Sequence, residues 1–166
     1  MQKVKEKYNL DSQKDKPNFR TYRDFFWRVG LDPTKNRPTA KALIRRILAY
    51  KPIPNINNVV DSYNLASNKT EIALAAFDLD KLKGELILRN AVENEEFLGI
   101  GMDEHIKLRG FEVIISYEEK LVAIYPYRDS DNTKVESKTK SVLIITCGLP
   151  EIDLNDLECA KETVIK

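Results

Sequence analysis

The feature that most constrains this chain is a change of hydrophobic period near its middle. Up to residue 67 the apolar residues recur at helical spacing, whereas from residue 85 to 147 they fall into short runs rich in Val, Ile, Leu and Tyr. Helices that come first and strands that follow do not form the alternating units of a doubly wound sheet. An α+β layered domain is therefore predicted. Phe19, Tyr22, Phe26 and Val29 share one face of a helix over 19–29, with Trp27 at its flank, and Gly30 with Asp32-Pro33 supplies the stop. Aromatic residues at this spacing read as core rather than as a base-stacking platform.

Thr39 is placed to cap a second helix over 40–50, whose apolar stripe is Leu43, Ile44, Ile47 and Leu48. Lys41, Arg45 and Arg46 fall on its other face, and the KPIP run at 51–54 must break it because proline has no amide donor. A third helix fits 57–67, with Asn57 as N-cap and Val59, Val60 and Tyr63 turned inward. Strands are predicted over 85–92 (ELILRNAV), 111–117 (FEVIISY), 121–125 (LVAIY) and 142–147 (VLIITC), the second and third forming a hairpin about 118–120. A closing helix over 152–166, capped by Asp153, is expected to pack on the sheet edge.

Length and composition narrow the function classes. At 166 residues the chain suits one folding unit, read as a charged leader over 1–18 and a single domain over 19–166. No apolar run reaches the ~18 residues of a membrane span, and the lysine-rich start lacks an apolar h-region, so no membrane partner and a cytoplasmic location are expected. Two cysteines and one histidine are too few for a structural metal site, and no metal or other cofactor is expected. There is no Gly-rich phosphate loop and no nucleophile motif near His105, which weakens kinase, dehydrogenase and triad-hydrolase readings.

The net charge of +1 hides a strong polarity. Residues 1–51 carry 14 Lys and Arg against 5 Asp and Glu, and residues 52–166 carry 13 against 21. Such a basic segment suits a polyanion, because phosphate contacts are electrostatic and largely independent of sequence. Among the polar candidates, Asn57 reads as a helix N-cap and Asp61 as a helix-surface or inter-element hydrogen-bonding residue, both structural. Asp78 and Asp80 form either a carboxylate pair on a strand or a turn before Lys81. Arg89 interrupts an apolar run and needs a carboxylate, one of those two aspartates, or a ligand. Arg128, Ser130 and Thr133 follow a strand end, where binding groups commonly sit, and His105 reads as a surface residue.

The stretch INNVVDSYNLASNKTEIALAAFDLDKL, residues 56–82, resembles the B3/B4 editing and tRNA-binding domain of the phenylalanyl-tRNA synthetase beta subunit, and free-standing proteins built from that domain. Tyr22-Arg23, Gly30-Leu31-Asp32-Pro33, Arg37-Pro38-Thr39, Arg128-Asp129-Ser130, Thr133-Lys134-Val135 and Thr139-Lys140 extend the resemblance in register. It implies a three-layer β/β/α fold of the PheT/TilS kind, tRNA or aminoacyl-tRNA as partner, and a pocket that removes a wrongly esterified amino acid. The family's pocket histidine, in LHAFD, corresponds to Ala75 here, and the glutamate that reads the tyrosine hydroxyl corresponds to Ile145. Tyr63 stands at a threonine position beside the retained Asn64, and 123–128 lacks two basic groups and two tryptophans of the free-standing relatives.

What the resemblance implies is thus a deacylase acting in trans and not selective for tyrosine, with Asn64 orienting the water. Asn57, Tyr63, Ala75, Asp78, Arg89, Arg128, Ser130, Thr133 and Ile145 are the candidate substrate contacts. Arg23, Arg28, Arg37, Lys41, Arg45 and Arg46 are the candidate tRNA contacts. A non-catalytic RNA-binding module and a pocket for a free amino acid or small metabolite stay open beside it.

Overall fold

The structure is a computed structural model that describes residues 16–37, 39–52 and 55–165. The leader reading over 1–18 lies almost wholly outside them. Helix α1 (Pro17–Arg28) opens on a proline, which costs nothing where the amide has no intrahelical acceptor, and it buries Phe19, Tyr22 and Phe26. Helix α2 (Thr39–Leu48) buries Ala40, Leu43, Ile44 and Ile47. Helix α3 (Asn58–Thr70) is capped by Asn57, whose side chain accepts from the Val60 N–H at 2.9 Å. It runs three residues past the predicted end, because Ser67 and Asn68 turn inward and Glu71 closes it in the left-handed region at φ 66°.

The strands are β1 (Leu74–Asp78), β2 (Ile87–Asn90), β3 (Glu96–Phe97), β4 (Ile106–Lys107), β5 (Val113–Tyr117), β6 (Lys120–Ile124), β7 (Arg128–Asp129) and β8 (Val142–Thr146), with helix α4 (Leu154–Ile165) last. Short 3-10 turns span Leu79–Lys81 and Asp131–Thr133. One antiparallel sheet has the order β2-β5-β6-β7, β1 pairs with β8 in a ribbon, and β3 pairs with β4. Every residue of β1 is buried, so the ribbon is the middle layer, between the four-stranded sheet and the helices α3 and α4. The fold is α+β in three layers, β/β/α.

Two expectations need correction. Strand β1 was not predicted: a strand covered on both faces has no alternation, and Leu-Ala-Ala-Phe-Asp is equally at home in a helix. The run ELILRNAV, read as a strand of eight, pairs over four residues only and lies at a sheet edge with Ile87 and Leu88 exposed. The 118–120 hairpin is present, Tyr117 pairing with Lys120 around Glu118 at φ 47°. Asp153 caps α4 by accepting from the Asn155 N–H at 2.8 Å, and that helix packs on α3 and β8.

The largest core cluster joins all three layers, with Phe77, Ile72 and Val122 fully buried. Burial of a side chain the size of Phe77 contributes about 2–3 kcal/mol. Tyr22 ties α1 to the ribbon end: its hydroxyl donates to the Cys147 carbonyl at 2.6 Å and accepts from the Ala73 N–H at 3.0 Å. Enclosure raises its phenol far above the ordinary value. Among the described residues no helix is long and apolar enough to cross a membrane, and no cluster of His, Cys, Asp and Glu could hold a metal ion.

Candidate functional site

A cleft of about 680 Å³ opens where α2 and the segment before it overhang the ends of β6 and β7. That volume lies in the range of small-molecule sites. Its overhanging wall carries Lys35, Arg37, Arg45, Arg46 and Lys51, and its floor reaches Leu74, Ala75, Ile115, Ala123 and Ile124. Between floor and wall stand Tyr125, Pro126, Tyr127, Arg128 and Asp129, with the Tyr125–Pro126 peptide cis. The site is thus apolar below, basic above, with one carboxyl at its side.

Sequence comparison assigns this architecture. The model of the B3/4 domain family matches residues 21–156. The chain belongs to that family. Two similar curated proteins are the phenylalanine–tRNA ligase beta subunits of Fusobacterium nucleatum, 36% identical over 90 residues, and Carboxydothermus hydrogenoformans, 37% identical over 90. Each alignment covers 54% of this chain and 11% of the relative, so this B3/4 domain spans a small part of those subunits. An N-terminal fragment of the phenylalanyl-tRNA synthetase beta subunit from Pyrococcus horikoshii shares the fold, with a TM-score of 0.50 and 19% identity over 66% of this chain and 41% of the fragment.

Of the residues singled out from sequence, Ala75, Arg128, Arg37, Arg45 and Arg46 line the cleft of this B3/4 domain. Arg128 is held along the rim: it donates to the Ile100 carbonyl at 3.0 Å and lies 5.1 Å over the Tyr127 ring. Gly99 lies directly beneath it, and a Cβ there would collide with the Arg128 side chain. Lys41 is half-buried on α2, and both burial and the charges of Arg23, Arg37 and Arg45 depress its pKa. These three arginines therefore stand near enough to Lys41 to act on its charge, Arg23 itself being paired with Asp24 at 3.5 Å. Arg28 stands apart, paired with Glu151 at 2.9 Å.

The other candidates have structural partners or face elsewhere. Asn64 is buried within α3 and does not line the cleft, and Ile145 lies opposite Ala75 in the ribbon, also outside the lining. Tyr63 is packed against the main core, and burial together with the Asp129 charge pushes its phenol well up. Asn57 is occupied as a helix cap. Asp78 accepts from the Asp80 N–H at 3.1 Å and from the Thr139 hydroxyl at 2.7 Å, so the turn and not the carboxylate pair accounts for it. Arg89 pairs with Glu95 at 2.6 Å and donates to Ser116, with neither aspartate and no part of the cleft involved. Ser130 and Thr133 open on a second cavity of about 590 Å³ together with Lys81 and His105.

Asp129 is the residue that sequence reasoning left out of the site. It occupies β7 opposite Ala123, lines the cleft, and points its carboxyl toward the Ala76 amide on the edge of β1. Burial raises its pKa from 3.8 to about 7, and the Ala76 N–H only partly offsets this. No ion pair among the described residues engages it, and the neighbouring Arg128 turns to Ile100 and Tyr127. The signal in the sequence was slight, a carboxylate following an apolar strand within the Arg-Asp-Ser element.

Proposed function

We propose that this B3/4 domain binds the amino-acid-bearing end of a tRNA and hydrolyses the ester that links the two. The observation that carries this reading is the cleft itself, with a basic wall suited to phosphates and ribose above an apolar floor suited to an amino-acid side chain. Membership of a family whose relatives are phenylalanine–tRNA ligase beta subunits makes tRNA the polyanion of choice. In this reading Arg37, Arg45 and Arg46 take phosphates, with Arg23 and Lys41 adding field behind them, and Arg128 stands at the junction of nucleotide and amino acid. Tyrosine is disfavoured, because Ala75 and the other floor residues offer no side-chain acceptor for its hydroxyl, and an apolar side chain is the preferred occupant.

The test is a panel of tRNAs misacylated with different amino acids, followed for release of the amino acid above the buffer rate. Release from one or a few apolar members is expected. Release from none would remove the catalytic part of the proposal. Filter binding of tRNA at increasing salt tests the other part: affinity should fall steeply, and replacing Arg45 and Arg46 by glutamine should weaken binding about tenfold or more and flatten the salt slope by about 2. Salt-dependent binding without turnover would favour the binding-module reading instead.

A further inference from the structure

Resting on that reading, we infer that Asp129 is the catalytic base of the cleft, taking a proton from the water that attacks the aminoacyl ester. Three observations carry it. Asp129 lines the cleft between the apolar floor and the basic wall, which is where an ester would lie if the side chain points down and the tRNA points up. The described residues supply no ion-pair partner for it, unlike the carboxyls of Asp78, Glu95, Glu112 and Glu136, each of which pairs with a Lys or Arg. It is only partly exposed, at the border of a cleft of about 680 Å³ that is large enough to hold water. A carboxyl that titrates near neutrality is matched to proton transfer at physiological pH, and burial places this one there.

The step balances without any further reagent. A water oxygen attacks the ester carbonyl carbon while its proton passes to the Asp129 carboxylate. The tetrahedral adduct then collapses, the bond between the carbonyl carbon and the ribose oxygen breaks, and the proton moves from Asp129 to that departing oxygen. Free amino acid and tRNA leave, and Asp129 is a carboxylate again. The ionisable and charged groups around it are Tyr63 from α3, Cys147 after β8, Arg128 on its own strand, and Arg37, Arg45 and Arg46 on the cleft wall. Tyr63 and Cys147 are both shifted upward by burial and by the Asp129 charge and stay neutral near pH 7, so neither competes for the proton.

Single-turnover release from whichever misacylated tRNA the wild type hydrolyses, measured from pH 5 to 9 beside tRNA affinity, decides the assignment. The wild-type rate should climb with unit slope and level off near pH 7. Asp129→Asn should lose about 100-fold or more at pH 7.5 with the inflection gone and tRNA affinity within about twofold of wild type, and Asp129→Glu should recover part of the rate. A carbon-13 titration of the free wild-type protein should show one Asp carboxyl with its midpoint near 7. An active wild type whose Asp129→Asn variant keeps the rate within about threefold and the same pH profile overturns this assignment alone. An inactive wild type that binds tRNA overturns it together with the hydrolytic reading.

Discussion

Two aspartates border strand β1, and they have opposite surroundings. Asp78 ends the strand inside a knot: the Thr139 hydroxyl, the Asp80 N–H and, at 3.8 Å, the Lys81 ammonium all satisfy its carboxylate. Asp129 faces the same strand two residues earlier, at Ala76, yet its enclosed carboxyl has that amide as donor and no ion-pair partner among the described residues, although arginines line the same cleft. A satisfied buried carboxylate holds a turn in place, whereas one left without a counter-charge destabilises the fold and stays available for chemistry. The difference separates a carboxylate that holds the fold together from one that the proposed reading assigns to the site.

The largest effect should come from the knot. Asp78→Ala would strand the Thr139 hydroxyl, the Asp80 amide and part of the Lys81 charge, and a loss of about 2–4 kcal/mol in urea unfolding is expected. An unchanged midpoint would mean that the knot is ornamental and would break the comparison at its first term.

Asp129 should act with the opposite sign. In the unfolded chain its carboxyl ionises near 3.8 and in the folded protein near 7. The unfolded state therefore releases its proton first, and stability falls as pH rises from about 4 to about 7 and is flat above that. Asp129→Asn removes this penalty. At pH 8 the variant should be more stable than the wild type by about 1–3 kcal/mol, a figure reduced for water in the cleft, and the gap should close by pH 4. Thermal melts at the two pH values measure it. A variant that is less stable at pH 8 would place Asp129 among the structural residues with Asp78.

The same contrast explains what could be read from the sequence. The helices and the β5–β6 hairpin were legible because Phe19, Tyr22 and Phe26, or Val113 to Ile124, carry a period that only one local structure satisfies. Strand β1 was not, since burial on both faces erases alternation. Ala75 and the arginines of α2 were found through family resemblance and charge, whereas the pairing of Arg89 with Glu95 was missed because a partner six residues along a loop has no periodic signature. Asp129 escaped for a physical reason as well: what sets it apart is that no Lys or Arg among the described residues pairs with it, and that is visible only once its neighbours are placed.

The smallest effect sharpens the comparison most. Thr139 accepts from the Glu136 N–H at 2.9 Å while donating to Asp78, so it links the 136–139 turn to the end of β1. Thr139→Val keeps the shape and removes both bonds, but leaves Asp78 with the Asp80 amide and Lys81. A loss of about 1 kcal/mol is expected, read as a lower urea midpoint at unchanged slope. Thr139 and Asp129 share no hydrogen-bond partner, so the fall in stability between pH 4 and 7 should keep its wild-type size in this variant. Were that fall to shrink, the two carboxylates would be coupled through β1, and the knot would have to be counted as part of the site.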